Sequence, residues 1–248
     1  MTESNLKSHP DDYRDSNPKS QNYAIIVAGG SGTRMGAGVP KQFLLLNGKP
    51  VLMHTLEAFY HTAAHPRLVL VLPANYRSQW EQLCATHDFH IPYDLVTGGE
   101  SRFHSVKNAL DSIEDSGDAL VAVHDAVRPM VDKKIIEELF RHAGKHGNAI
   151  TAIKSRDSVR QLKNGVSASI DRNEIYLVQT PQTFKLSQLK KAYTQPYDSK
   201  FTDDASVVER AGMSINLVEG SYQNIKITFP EDIAIAEAIL KTRLGKWS

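Results

Sequence analysis

Tyr23-Ala24-Ile25-Ile26-Val27-Ala28-Gly29-Gly30-Ser31-Gly32-Thr33-Arg34-Met35-Gly36 is the stretch on which the rest of the chain turns. Its apolar first half, bounded by glycines, reads as a strand buried on both faces. The glycine-rich half reads as the loop leaving the carboxyl end of that strand. Glycines let a backbone approach a bound group closely and turn its N–H donors inward. Arg34, and Lys41 in Pro40-Lys41-Gln42, add two cations just past the loop. Amide donors beside fixed positive charge suit a polyphosphate. A tight strand-to-helix turn with two surface cations is the competing reading. The loop is not a Walker loop, because Lys41 follows Pro40 and precedes Gln42 instead of closing a Gly-Lys-Ser/Thr run. Nor is it a dinucleotide fingerprint: counted from Gly30, Met35 stands where the third glycine belongs. That argues against an NAD(P)-dependent reductase.

Strand and helix patterns alternate from Tyr23 through this loop to Ile153. Val51 to Phe59 has helical spacing, and Arg67–Leu72, ended by Pro73, is a near-continuous apolar strand. Tyr76, Trp80, Leu83 and Cys84 mark a helix, and Tyr93–Val96 a short strand ending in Gly98-Gly99. Phe103 to Ile113 predicts a helix, Ala119–Val123 a strand, Ile135 to Ala143 a helix and Ala149–Ile153 a strand. This rhythm predicts an α/β fold: a Rossmann-like, mostly parallel sheet with helices on both faces. Ligands in such sheets bind beyond the carboxyl ends of the strands. Three loops converge there: Gly29 to Arg34, Gly98 to Ser105 and His124 to Pro129.

The rhythm then breaks. Asn164-Gly165, flanked by strand-like residues from Ser158 to Ile170, predicts a β-hairpin. With few apolar residues it is either a solvated hairpin or an arm projecting toward a second subunit. Glu174–Val178 predicts a strand running into Gln179–Phe184. Thr202 or Asp203 caps a helix ended by Gly212, Ser214–Val218 and Asn224–Thr228 predict strands, and Pro230 opens the last helix.

Bulk properties narrow the partners. The chain has 248 residues and a net charge of +1, so it carries no basic footprint for nucleic acid. Cys84, the single cysteine, excludes an internal disulfide, suits a cytoplasmic protein, and reads as a small buried hydrophobe. No apolar run reaches transmembrane length, so no membrane partner is expected. Residues 1–22 are polar and are expected to form a disordered tail.

Few residues look like general bases. Lys226 alternates with Ile225 and Ile227 and is either a solvated lysine or a residue of the site. Asp125, at a strand end three residues before Arg128, can bind a sugar hydroxyl, stand near Mg²⁺ directly or through water, or pair with Arg128 to order its loop. His61 and His65 share a helical spacing but lack a third ligand, and G-x-S-x-G is absent. An inventory rich in cations suits attack by a phosphate monoester on a nucleotide α-phosphate. That nucleophile is already an anion, and the reaction needs repulsion cancelled and an in-line pose, not a base.

The chain resembles the 2-C-methyl-D-erythritol 4-phosphate cytidylyltransferases of the non-mevalonate isoprenoid pathway from Tyr23 to Leu240. The resemblance rests on Ala28–Gly36, Pro40–Phe43, Gly98–Val106, His124–Pro129, Asp171–Asn173, Gln179–Phe184, Thr202–Ser206, Val218–Gly220 and Asn224–Thr228. It implies one nucleotidyltransferase domain over 23–248, with a dimerisation arm at about 154–177. Arg34 and Lys41 would stabilise the transition state at the CTP α-phosphate. Ala28, Gly29, Gly30, Gly32, Gly99 and Ser105 would hold CTP. Asp125, Arg128, Ser158, Arg172, Thr180 and Lys226 would bind the acceptor, with Arg172 and Lys226 aiming its phosphate and Asp125 near Mg²⁺ or another divalent cation. Ser158 and Arg172 would serve the partner's site across a homodimer. Ser158 stands where the family usually has Thr, and Val127 where it commonly has Ala. The Gly29-Gly30 pair and Val127 also occur in ribitol-5-phosphate cytidylyltransferases, so that acceptor is the alternative. A catalytically dead nucleotide-binding protein is a third reading, and the joint presence of Arg34, Lys41, Arg172 and Lys226 counts against it.

Overall fold

The computed structural model describes residues 22–29, 39–114 and 117–245. Gly30, Gly32 and Arg34 lie outside them, as does the polar stretch before Asn22. Asn22 itself, read from sequence as the end of a tail, is tied to the fold. Its side chain donates to the Ala64 carbonyl at 2.9 Å, and its own carbonyl accepts the Arg67 N–H at 2.8 Å.

β1 (Tyr23–Val27) is buried at every residue because helices cover both faces of its sheet. Side-chain alternation sorts it between two cores. Tyr23, Ile25 and Val27 face one core with Val69, Val71, Val121 and Val123, while Ala24 and Ile26 face another with Leu68, Leu70 and Ala122. β2 (Leu45–Leu46) and β3 (Lys49–Pro50) form a small hairpin, followed by α1 (Val51–Tyr60). The hairpin turns at Asn47-Gly48, with φ of 48° and 78°. That positive-φ pair is what Asn-Gly supplies in a tight turn; the reading from sequence passed over it.

β4 (Arg67–Leu72), α2 (Arg77–Thr86), β5 (Asp94–Thr97) and α3 (Arg102–Ser112) follow, and then β6 (Leu120–Asp125), α4 (Lys133–His146) and β7 (Asn148–Lys154). β6 runs two residues beyond the predicted strand and so carries His124 and Asp125 itself. Cys84 on α2 is half-buried, not fully buried, and lies 3.8 Å from the Tyr93 hydroxyl.

β8 (Val159–Lys163) and β9 (Val166–Ile170) make the predicted hairpin, turning at Asn164-Gly165 with φ of 51° and 79°. A single ten-residue strand, β10 (Tyr176–Lys185), returns to the sheet. Glu174 and Ile175, expected in this strand, instead belong to the 3₁₀ turn Arg172–Glu174 and its end. α5 (Leu186–Ala192) was not foreseen. α6 (Asp204–Arg210), β11 (Leu217–Glu219) and α7 (Glu231–Leu244) complete the chain.

The sheet order is β11-β7-β10-β6-β1-β4-β5. β1, β4, β5 and β6 pair in parallel, as do β7 and β11, while β10 runs antiparallel to both β6 and β7. β10 is therefore the seam between two parallel blocks.

Two predicted strands need correction. Ser214, Ile215 and Asn216 are irregular, so the strand there starts only at Leu217. Asn224–Thr228 is no strand at all. Its inward alternation is real, since Ile227 is fully buried and Ile225 packs beside it under α7. What is missing is the ladder: the Ile227 N–H donates to the carbonyl of Val127, which sits in a loop. Alternating burial alone reports packing, not strand pairing.

Candidate active site

The loops beyond β1, β5 and β6 enclose a cavity of about 370 Å³, whose wall includes Ala28, Gly29, Lys41, Gln42, Gly99, Arg102, Ser105, Asp125 and Lys226. The predicted convergence at the carboxyl edge of the strands is thus present among the described residues.

Each wall has its own anchor. Lys41 stands on a 3₁₀ turn, Lys41–Phe43, whose other two residues are buried. The Gln42 amide donates to the Ala28 carbonyl at 3.1 Å, and Phe43 stacks on Trp80 at 6.0 Å between ring centres. The turn is clamped to the end of β1 on one side and to the core on the other, so Lys41 is presented from a fixed base. Opposite it, the Ser105 hydroxyl accepts the Gly99 N–H at 3.0 Å. A Cβ on Gly99 would lie 2.5 Å from that of His104, so only glycine lets this strand-to-helix turn close.

Asp125 ends β6 in a ring of cations. Its Oδ2 lies 2.7 Å from Lys226 Nζ and 3.8 Å from Arg128 Nε, and its Oδ1 lies 3.4 Å from Arg102 Nε. The Lys226 contact is a hydrogen-bonded pair; at 3.8 Å Arg128 contributes charge attraction only. Burial works against the charged carboxyl. Arg102, Lys226 and Arg128 outweigh it, and hold the group well below the usual carboxylate range. Asp125 is an anion at any working pH and not a proton donor.

β10 supports it from behind. The β7–β10 register shifts between Val178 and Gln182. Pro181 has no N–H to give the ladder there, and the neighbouring Thr180 hydroxyl accepts the Asp125 N–H at 3.0 Å. Asn224, fully buried, donates its side-chain N–H to the Thr180 carbonyl at 2.9 Å, and its backbone carbonyl accepts from Arg128 at 2.8 Å. Lys226 follows two residues later, so the same residue fixes the segment that delivers it.

The neighbouring His124 is not available as a base. It is fully buried, its Nε2–H donates to the Arg128 carbonyl at 3.1 Å, and its Nδ1 has no partner. Burial is the main cause that lowers its pKa to about 3.

The structure brings together Ala28, Gly29, Lys41, Gly99, Ser105, Asp125 and Lys226, with Thr180 and Arg128 directly behind Asp125. Ser158 and Arg172 are elsewhere: both are exposed at the root of the hairpin, and Arg172 donates to the Arg156 carbonyl at 3.0 Å. The reading from sequence overlooked Arg102, which joins Asp125 to the fully buried Asp204.

A divalent cation fits here only if it brings its own ligands. Among the described residues no three His, Cys, Asp or Glu groups cluster. Asp125 and Glu100 are the carboxylates on the cavity wall, and Asp125 is already matched by cations. That donor set suits Mg²⁺ carried on phosphate oxygens rather than a protein-built cage.

The family model described as 2-C-methyl-D-erythritol 4-phosphate cytidylyltransferase matches residues 23–242. The chain belongs to this family. A cytidylyltransferase of that name from Bacteroides thetaiotaomicron is 48% identical over 216 residues, covering 87% of this chain and 98% of the relative. One from Phocaeicola vulgatus is 47% identical over 218 residues, covering 88% and 99%. The crystal structure of the Francisella tularensis cytidylyltransferase matches with a TM-score of 0.73 at 34% identity, over 88% of this chain and 98% of that one. The 4-diphosphocytidyl-2C-methyl-D-erythritol synthase of Anaerococcus prevotii matches with a TM-score of 0.77 at 27% identity, over 90% and 96%. This cytidylyltransferase is therefore a nucleotidyltransferase of isoprenoid precursor synthesis, with CTP and methylerythritol phosphate as substrates. Of the two acceptors left open by the sequence, family membership selects methylerythritol phosphate over ribitol phosphate. No helix among the described residues is long and apolar enough to cross a membrane.

Proposed function

We propose that the transfer runs by charge assembly without a general base. A phosphate oxygen of 2-C-methyl-D-erythritol 4-phosphate attacks the α-phosphorus of CTP, a new P–O bond forms, and the bond to the bridging oxygen breaks to release pyrophosphate. The observation that supports this most directly is Asp125. It stays ionised amid Arg102, Arg128 and Lys226, on the wall of the cavity that Lys41 also lines. Such a pocket attracts and orients anions and offers no neutral base beside them.

In this reading Lys41, with Arg34, meets the α-phosphate as negative charge builds there. Ala28, Gly29, Gly30, Gly32, Gly99 and Ser105 hold the cytidine end. Asp125 takes an acceptor hydroxyl, with Thr180 fixing its backbone, and Arg128 and Lys226 take the acceptor phosphate. Mg²⁺ bound to the triphosphate would supply further charge neutralisation, with Asp125 facing it through water.

Ser158 and Arg172 enter from a second copy of the chain in this reading. The hairpin leaves Leu162 and Val166 about 70% exposed, and Tyr176, Leu177 and Val178 are exposed at its root. Apolar side chains exposed along the arm and at its root favour an interface. The reading also takes the enzyme as cytoplasmic, in line with its single thiol.

Pyrophosphate release from CTP and Mg²⁺ tests the acceptor: rapid release with methylerythritol phosphate and little with ribitol phosphate is expected, and the reverse would refute it. For the shared site, Arg172→Ala subunits mixed with Lys226→Ala subunits should recover activity that neither has alone. Verified heterodimers with no recovery would remove the partner's role.

A further inference from the structure

Asp204 is a carboxylate with no exposed surface, and nothing in the transfer step calls for it. Its oxygens are nevertheless fully engaged. Arg102 Nη1 and Nη2 donate to its two oxygens at 3.1 and 2.7 Å, and the Tyr193 hydroxyl donates to Oδ1 at 2.6 Å. Burial and the adjacent Asp204 raise the Tyr193 phenol well above its ordinary pKa, so it remains a donor.

The carboxylate is itself held in place. The Gln182 amide, also fully buried, donates to Asp203 Oδ2 at 2.8 Å and accepts the Ala205 N–H at 2.8 Å. The start of α6 is thereby pinned to β10, two residues past the Thr180 that fixes the backbone of Asp125. Asp203 caps α6 through the Ser206 N–H. The two neighbouring aspartates divide the work: Asp203 holds the helix and Asp204 holds the arginine.

Arg102 is what Asp204 aims. With two guanidinium nitrogens on Asp204, the third, Nε, lies 3.4 Å from Asp125 Oδ1. A planar fork anchored at two corners has its remaining N–H direction fixed, which a lysine ammonium cannot reproduce. Contacts therefore close a circuit from β6 through β10 and α6 to α3 and back to β6.

We infer that Arg102 is a positioning residue for the acceptor half of the site, aligned by Asp204 and Tyr193 so that Asp125 keeps one oxygen toward α3 and the other toward Lys226. This rests on the assignment of Asp125 and Lys226 to the acceptor.

Steady-state kinetics of the full-length enzyme test it, with CTP and methylerythritol phosphate varied separately. Asp204→Asn and Arg102→Lys are each expected to raise the acceptor KM about tenfold or more while the CTP KM stays within about twofold. Tyr193→Phe should do the same to a smaller extent. The double variant Arg102→Lys/Asp204→Asn should be no worse than the worse single variant, because both act through one contact. A purely electrostatic role predicts rescue by Arg102→Lys; an acceptor KM restored by that variant, equal rises in both KM values, or additive losses would each overturn the inference. If Asp204→Asn does not fold, Arg102→Lys, on the cavity wall, decides alone. Asp125→Asn is run in parallel. An unchanged acceptor KM there would overturn the acceptor assignment and this inference with it. A raised KM there, with none in Arg102→Lys or Asp204→Asn, would overturn the positioning role alone.

Discussion

Acidification should weaken the fold through His124 before it touches Asp125. The ring is fully buried, packs 4.9 Å from the ring of Phe59, and leaves Nδ1 without a partner. Protonation of that nitrogen would strand a cation in the core, beside Arg128 and Arg102, and the hydrogen bond to the Arg128 carbonyl and the charge of Asp125 offset only part of that cost. Burial therefore holds the folded pKa near 3, against 6.5 for the free imidazole. Below pH 6.5 the unfolded chain takes up a proton that the folded chain refuses, so stability falls as pH falls, down to the folded pKa. Each pH unit in that window costs about 1.4 kcal/mol, and the total at about pH 5 is about 2 kcal/mol. The Asp125 contribution has the same sign but lies lower. It is complete above the unfolded carboxylate pKa of about 4 and is lost only below it. Urea unfolding at about pH 7.5 and about pH 5, for the parent and for His124→Gln, isolates the effect. Any cost of the substitution common to both pH values cancels, as does the contribution of His54, whose pKa burial also lowers. The parent should lose about 2 kcal/mol more than the variant on acidification. Equal losses in the two proteins would refute the claim that His124 is held neutral.

Lys41→Ala should lower kcat on the order of 100- to 1,000-fold, with CTP binding by titration changed far less; equal losses in both would refute a role at the α-phosphate. Gly99→Ala places a Cβ 2.5 Å from that of His104, so a destabilisation of about 1–3 kcal/mol in thermal melts and a raised CTP KM are expected. A variant that melts with the parent would show that the turn has room after all. Chelation with EDTA should stop turnover and added Mg²⁺ should restore it, whereas full activity in EDTA would remove the metal from the proposal.

The parts of the fold that could be read from sequence are those where burial and hydrogen bonding coincide. β1, β4 and β6 are central parallel strands, and their unbroken apolar runs permit little else. Asn224–Thr228 fails because Ile225 and Ile227 alternate inward to meet α7, while the backbone pairs only with a loop. α5 escapes because two turns built on Leu186 and Leu189 give too short a period to recognise. Within the site, Gly99, Ser105 and Asp125 announce themselves by their place at strand ends. Arg102 and Asp204 do not, since a buried ion pair between residues 102 positions apart leaves no spacing to find. Ser158 and Arg172 came from resemblance alone, and a single chain gives them no shared wall with Asp125.

β10 also sets where this chain can change its length. Tyr176 at the root of the arm, Thr180 behind Asp125, and Gln182 at the start of α6 are beads on one extended strand. An added or lost residue between them would turn every later side chain to the opposite face and detach Asp125 and α6 together. The Asn164-Gly165 tip has no such neighbours: both residues are exposed, and a Cβ on Gly165 would meet nothing within 4 Å. Within one chain a change of length is accommodated at the tip of the arm, while the ten residues of β10 are held to a fixed count.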